Sequence, residues 1–380
     1  MKYLTGFIPR VLSLACCYLY LPALFAQTPV VVQTNATIRV MAANLSSGNY
    51  QRYETAGLDI LKGLKPDVVC IQEFNYLGTD GTSLNTPTAI REMINNTFGT
   101  NFVYFRESGY NIPNGVISRY PMLASGSWVS DVGDRGYAWA QLDIPGTNHL
   151  YVVSVHLKAS SSSASMRANE AVTVKSNILA NFPANAWVVL GGDLNISSSG
   201  EAALATMKTY LSDTPIPTDA ESGGDADTNA GRSSRYDYVF PSFNLSSNEI
   251  PAKVGSHTFS NGVVFDSRVY TPLSDVSPVQ SGDSGVTGMQ HMGVIKDFNI
   301  AYSITNFVTN VVVTAPLLVL QSSNVIRWQG VSNVTYTVQV RTNLNFTNWI
   351  TIGTASSTTT NISFTNNSSG PQKFFRVTYP

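Results

Sequence analysis

Asp193 and Asn195 stand two residues apart at the end of the apolar run Val188-Val189-Leu190-Gly191-Gly192. A short apolar run closed by Gly reads as a buried strand, and in an extended segment residues two apart point to the same side. A carboxylate and an amide would therefore leave a sheet end together, able to orient a water and to hold a phosphate oxygen. Such residues also simply start turns, so the pair alone decides nothing. The pattern, however, recurs. Residues 37–44 end in Asn44, residues 67–73 in Glu73 and residues 150–156 in His156. Tyr236-Asp237-Tyr238-Val239-Phe240 opens a strand with a buried-looking Asp237, and His291 precedes Met292-Gly293-Val294-Ile295. Metal-binding and acid–base groups at so many strand ends predict one site, gathered from distant parts of the chain on a rigid sheet.

The elements between these strands are helical in period. Tyr53, Ala56, Gly57, Ile60, Leu61 and Leu64 form one helical face. Ile90, Met93 and Ile94 mark a second helix. A third runs from a Ser165 cap through Ala168, Ala171, Val172, Ile178 and Leu179, and a short fourth covers Glu201–Leu211. Strands alternating with covering helices over residues 37–300 predict an α/β sandwich. Residues 212–234 form a Gly/Asp/Pro-rich loop, read as a mobile, substrate-facing segment; Asp219, Asp225 and Asp227 match no reliable calcium-loop spacing. From about residue 312 the texture changes to short alternating strands separated by Asn/Ser/Gly turns, which predicts a small β-sandwich. That tail carries no His, Asp, Glu or Cys, which excludes catalysis there; a spacer or a polymer- or surface-binding role remains.

The first 26 residues read as a cleavable secretory signal: Lys2 and Arg10, an apolar stretch Val11–Phe25, then Ala26. The run is too short for a membrane anchor and contains Pro22, and it continues past Cys16 and Cys17, which argues against lipidation. The expected product is a secreted or periplasmic monomer with no integral membrane segment. Signal removal leaves Cys70 alone, a small buried hydrophobe with no disulfide partner. Charge is sparse, 12% against roughly 25% in typical soluble chains. It is also unevenly placed: residues 27–310 hold 17 basic against 24 acidic residues, a net of −7, and the tail holds four cations and no acid. Such a catalytic region offers no long-range attraction for a polyanion, and a bound divalent ion would offset part of its charge.

Asn44, Gln72-Glu73, Asn114-Gly115, His156, Gly192-Asp193-Leu194-Asn195, Arg235-Tyr236-Asp237-Tyr238 and His291 follow one another in an order that resembles the endonuclease/exonuclease/phosphatase superfamily. Pancreatic-type deoxyribonucleases, apurinic endonucleases, bacterial sphingomyelinases and inositol-polyphosphate phosphatases belong to it. The likeness covers roughly residues 37–300. The last seventy residues resemble the fibronectin-III-like modules that end many exported bacterial enzymes. The domain division expected is thus 1–26 signal, 27–310 catalytic domain and 311–380 β-sandwich.

The resemblance implies a four-layer α/β sandwich, two packed mixed β-sheets flanked by helices, with the site along one edge. It implies phosphate-ester hydrolysis with Mg²⁺, or Mn²⁺ or Ca²⁺ in its place. Glu73 would be the metal ligand, with Asn44 beside it in the metal and phosphate shell. His291 and Asp237 would form a base-and-orienter pair, and Asp193 would position or deprotonate the attacking water. Asn195 would hold that water or a phosphate oxygen. His156 would donate to the phosphoryl group as charge develops, and Asn114 and Tyr110 would line the phosphate pocket. One position departs from the pattern: Gln290 stands where the family usually carries Asp before the final His. An amide adds no charge to a metal site, so Gln290 is a weak ligand, and Asp283 or Asp275 is the candidate replacement.

The function expected is a secreted, metal-dependent phosphodiesterase of nuclease type. A sphingomyelinase or phospholipid phosphodiesterase, or a phosphomonoesterase of the inositol-phosphatase kind, is the enzymatic alternative. The absence of adjacent exposed aromatics in residues 212–290 favours the nuclease, whereas the lack of a basic groove speaks against it. A degenerate, non-catalytic surface-binding protein is the third reading.

Overall fold

The computed structural model describes residues 27–48, 51–221, 223–309, 318–320, 324–342, 348–367 and 373–378. The expected signal segment lies outside them. No described helix is long and apolar enough to cross a membrane. The chain divides into two compact units, one of Gln33–Ile304 and one of Thr305–Pro380 with the N-terminal residues.

The larger unit alternates strands and helices in chain order: β1 (Gln27–Ala43), α1 (Thr55–Leu64), β2 (Val68–Ile71), α2 (Pro87–Thr97), β3 (Val103–Arg106), β4 (Gly115–Ser118), β5 (Met122–Val129), β6 (Gly136–Leu142), β7 (Leu150–His156), α3 (Ala164–Asn181), β8 (Trp187–Asp193), α4 (Ala202–Met207), β9 (Asp237–Pro241), α5 (Phe243–Ser246), β10 (Glu249–Ile250), β11 (Ala252–Val254), β12 (His257–Phe259), β13 (Val263–Phe265) and β14 (Gly293–Thr309). One sheet has the order β10-β14-β1-β2-β4-β3, with β13 also on β14; the other is β5-β6-β7-β8-β9. Both are mixed. β1 and β2 run parallel, as do β7 and β8, while β2–β4 and β8–β9 are antiparallel.

Side-chain alternation builds the layers. In β2, Val68 and Cys70 face inward with Val40, Ala42, Val152 and Val189, sealing the two sheets together. Val69 and Ile71 face outward onto Ile60, Leu61 and Leu64 of α1 and Met93 and Ile94 of α2. On the other sheet, Val153, Val188 and Leu190 pack outward onto Ala171, Val174 and Ile178 of α3 and Leu204 and Met207 of α4. The expected four-layer α/β sandwich is what forms. Its tightest crossing is at the glycine pair before Asp193. A Cβ at Gly191 would lie 2.7 Å from the Cys70 sulfur, and one at Gly192 would lie 2.0 Å from the Val155 carbonyl oxygen, at a φ of +143° open to glycine. Burial pushes the Cys70 thiol up to about 12, which fits a packing role and no reactivity.

Helix α3 departs from expectation. Ser165 lies inside the helix, whose cap position is Ser163. Val172 and Leu179, expected on the apolar face, are exposed, while Arg167 and Glu170 are fully buried beside Ala171, Val174 and Ile178. Charged residues occupy the core-facing stripe, so hydrophobic periodicity mislocates the face. Glu170 accepts the Lys158 amide at 2.8 Å, and burial raises its carboxyl to about 7. A group whose folded pKa lies above its unfolded value of 4.5 favours folding below that value, and the benefit is lost as pH rises through 7. Glu170→Gln is therefore expected to remove about 1–3 kcal/mol of pH-dependent destabilisation between pH 4.5 and 8. Urea titrations at four pH values check this; parallel curves for variant and parent would exclude it.

In the smaller unit, Val325–Gln329 and Asn361–Thr365 pair in one sheet, and Tyr336–Arg341 pairs with both Ile350–Ala355 and Phe374–Thr378 in another. Ile326, Trp328, Tyr336, Val338 and Ile362 form its core. It is the small all-β module expected.

Candidate active site

Strand register aligns the chemistry. His156 is paired with Asp193 across β7–β8, and Asp193 with Asp237 across β8–β9, so all three occupy one rung at the sheet end. The other sheet delivers Asn44 just past β1, Glu73 just past β2 and His291 just before β14. All six are buried. The expected strand-end set is thus brought together from both sheets.

Asp193 Oδ2 is the focal atom. It accepts from Asn44 Nδ2 at 3.1 Å and Asn195 Nδ2 at 3.0 Å, and faces His156 Nε2 at 3.2 Å and His291 Nε2 at 3.4 Å. Its other oxygen accepts the Asn195 amide at 2.8 Å. Asn195 takes the left-handed conformation, φ 49°, which lets amide and side chain both turn back onto Asp193. Burial opposes the Asp193 charge, yet His291 and His156 outweigh it and hold the carboxyl well below the usual range. His291 Nδ1 contacts Asp237 Oδ2 at 2.8 Å. Burial works against its imidazolium, but Asp237 and Asp193 prevail and lift it to about 10. Asp237 and Asp193 thus favour the charged imidazolium, as the sequence reading expects of the Asp237 carboxylate.

Asp193, Asp237 and His291 place ligand-type atoms within 4.8 Å of one another. His291 bridges the two carboxylates, Nδ1 to Asp237 and Nε2 towards Asp193, so the trio forms a hydrogen-bonded acid–imidazole network. Oxygen donors for a hard cation lie beside it. Among the described residues Asn44 Oδ1 is buried with no hydrogen-bond partner, its amide nitrogen being held by Asp193. Glu73 sits at φ 50°, outside the strand, with its carboxylate held by Ser46 Oγ and by Gln51 Nε2 at 3.0 Å. A carboxylate and an orphaned amide oxygen fit Mg²⁺-type coordination.

Residues 43–256 match the Endonuclease/Exonuclease/phosphatase family. The chain belongs to that family. No curated protein sequence matches it. Among solved structures it is similar to an endonuclease/exonuclease/phosphatase from Beutenbergia cavernae (16% identity, 90% of this chain and 95% of that one, TM-score 0.46). It is also similar to a family protein from Leptotrichia buccalis (17%, 71% and 100%, 0.43) and to the human Nocturnin catalytic domain (14%, 73% and 98%, 0.45). Phosphoester hydrolysis is the chemistry of the endonuclease/exonuclease/phosphatase family.

Other expected family positions fare differently. Asn114 is fully buried, its Nδ2 donating to the Gly136 carbonyl at 2.7 Å and its Oδ1 without a partner among the described residues, so it braces β4 against β6. Tyr110 is half-buried, and among the described residues no hydrogen bond or ring contact joins it to the cluster. The Gln290 side chain is exposed, and its backbone carbonyl accepts the Ala230 amide at 2.7 Å. The suggested replacements are committed elsewhere, Asp275 to Ser256 and Asp283 to the Gln280 amide.

Sequence reasoning missed Thr228. Its hydroxyl donates to Asp237 Oδ2 at 2.7 Å and accepts the Tyr236 and Asp237 amides at 2.9 Å each, fixing the carboxylate that holds His291. It lies in the loop read as mobile, which is instead pinned. Arg232 reaches Asp219 at 2.5 Å and Asp225 at 3.0 Å, with Asp266 at 3.6 Å. A guanidinium among those acids also takes the place a calcium ion would fill. The signal was a Thr beside Asp and Asn in a turn-rich stretch, which the composition of the loop hides.

Proposed function

We propose that the protein is a secreted, divalent-metal-dependent phosphodiesterase acting as a nuclease. The carrying observation is the convergence of Asn44, Asn195, His156 and His291 donors on Asp193 Oδ2. A phosphoryl oxygen bound beside Asp193 would draw on the His156 and His291 Nε2 donors, aimed before reaction and shielded from water, where they stabilise developing charge most. Asp193 orients the attacking water and takes its proton at Oδ2 as the water oxygen bonds to phosphorus; the ester P–O bond breaks, and the leaving oxygen takes a proton from His291 Nε2. Asp237, fixed by Thr228, keeps His291 oriented and charged, so that Nε2 donates as charge grows. Glu73 and Asn44 would hold the metal, which supplies Lewis-acid stabilisation of the phosphate ester when bound. The N-terminal segment supports export.

A second reading, turnover of a phospholipid or a phosphomonoester, draws support from the net charge of −7 over residues 27–310, which repels polyanions. Purified protein assayed on plasmid DNA, RNA, sphingomyelin and p-nitrophenyl phosphate, with Mg²⁺, Mn²⁺ or chelator, separates the two. Lipid turnover without DNA cleavage sinks the nuclease; turnover that persists in chelator sinks the metal.

The exposed amide of Gln290 beside His291 leads to a further expectation. Gln290→Asp should lower the Mg²⁺ concentration for half-maximal rate by about 3–10-fold, since a carboxylate adds the charge a hard cation prefers. An unchanged metal titration would show that position 290 does not face the metal.

A further inference from the structure

Resting on the nuclease reading above, we propose that the smaller β-unit is the polyanion-binding part of the enzyme: one face of its β-sheet grips single-stranded nucleic acid through Arg341 and Arg376. The larger unit cannot supply that attraction with its net negative charge. The residues after 310 carry Arg327, Arg341, Lys373 and Arg376 and no acid.

Burial along Tyr336–Arg341 alternates, with Tyr336, Val338 and Val340 inward and Thr337, Gln339 and Arg341 on the outer face. Arg376 is paired with Gln339 across the sheet, so it shares that face and is exposed. Both guanidinium groups lie over the Trp349 ring, Arg341 at 4.4 Å and Arg376 at 4.6 Å from its centre. Arg376 Nε donates to Gln339 Oε1 at 2.7 Å, and Gln339 Nε2 donates to Thr351 Oγ1 at 3.1 Å. Stacking and hydrogen bonding thus hold Arg376 at its Nε on this exposed face. Planar, pre-oriented guanidinium forks suit phosphodiester oxygens bidentately, and their flat faces stack on unpaired bases. Three of the four cations are Arg, which favours directional phosphate recognition over the diffuse lysine attraction typical of a membrane surface.

The full chain in EDTA, with a fluorescein-labelled 20-nucleotide single strand, tests this by anisotropy between 20 and 200 mM KCl. Arg341→Gln/Arg376→Gln is expected to weaken binding at least about tenfold at low salt. It should also reduce the salt slope by about 1.4, two phosphate contacts at roughly 0.7 each for a single strand. Arg376→Gln alone, at an exposed position, should reduce it by about 0.7, which keeps a reading should the double variant fail to fold. Turnover of bis(p-nitrophenyl) phosphate with Mg²⁺ or Mn²⁺ should be unchanged in all variants. Equal affinity and slope in parent and variants overturn the proposal. So does loss of binding to phosphatidylglycerol vesicles with DNA binding intact, which would make the face a membrane contact. A parent that binds DNA through these residues but turns over no phosphodiester overturns the hydrolase reading instead.

Discussion

His291→Ala is expected to lower kcat/KM on bis(p-nitrophenyl) phosphate by about 10³–10⁴-fold and to cost about 3–5 kcal/mol of stability, because two buried carboxylates lose their cation. The side chain contacts Asp193 at 3.4 Å and Asp237 at 2.8 Å, and it is the cation against which both carboxylates are buried. Its removal takes away a charged donor and leaves two acids facing one another, so the site loses charge stabilisation and orientation together. Residues acting as a unit are non-additive. The Asp193→Ala/His291→Ala pair should therefore be scarcely worse than either single change. Steady-state kinetics on the three variants checks this. A residual rate within tenfold of the parent for His291→Ala, or strictly multiplicative losses, would remove His291 from the chemistry.

What made the site legible was strand-end placement. Asn44, Glu73, His156, Asp193, Asp237 and His291 each follow or precede an apolar run, and the register puts three of them on one rung. Local pattern can reveal which residues end a strand; it cannot reveal which strand lies alongside. The β7–β8 pairing that brings His156 to Asp193 was invisible for that reason, and the site depends on it. Asp237 was legible as the carboxylate that favours a charged His291, but the contribution of Asp193 was not, because it arrives from a strand far away in sequence. Thr228 was hidden by the composition of its loop. Helix α3 was misplaced on its axis because its buried stripe holds Arg167 and Glu170, polar residues that periodicity assigns to solvent.

Arg167 leads to the second large effect. Fully buried, it meets Glu201 through Nε at 2.8 Å and Nη2 at 2.7 Å, while Nη1 donates to the Lys158 and Ser160 carbonyls at 2.9 and 2.7 Å. Glu201 in turn accepts the Ser197 amide at 2.9 Å and its hydroxyl at 2.8 Å. The guanidinium therefore joins the loop after His156 to the loop after Asn195, two of the segments that carry the donors around Asp193. Arg167→Leu strands the Glu201 carboxylate and frees two carbonyls. A loss of about 3–5 kcal/mol is expected, as for a buried ion pair broken on one side. Arg167→Leu/Glu201→Leu should cost less than the single change, because it leaves no unpaired charge. Urea unfolding of the two singles and the double measures the coupling. Where the single variant remains folded, kcat should fall about 10²-fold, since displacement of His156 and Asn195 by an ångström is enough to misaim them. A single-variant loss below 1 kcal/mol would mean that the loops hold their places without the clasp. The precision of the site would then rest on the Asp193–Asn195 turn alone.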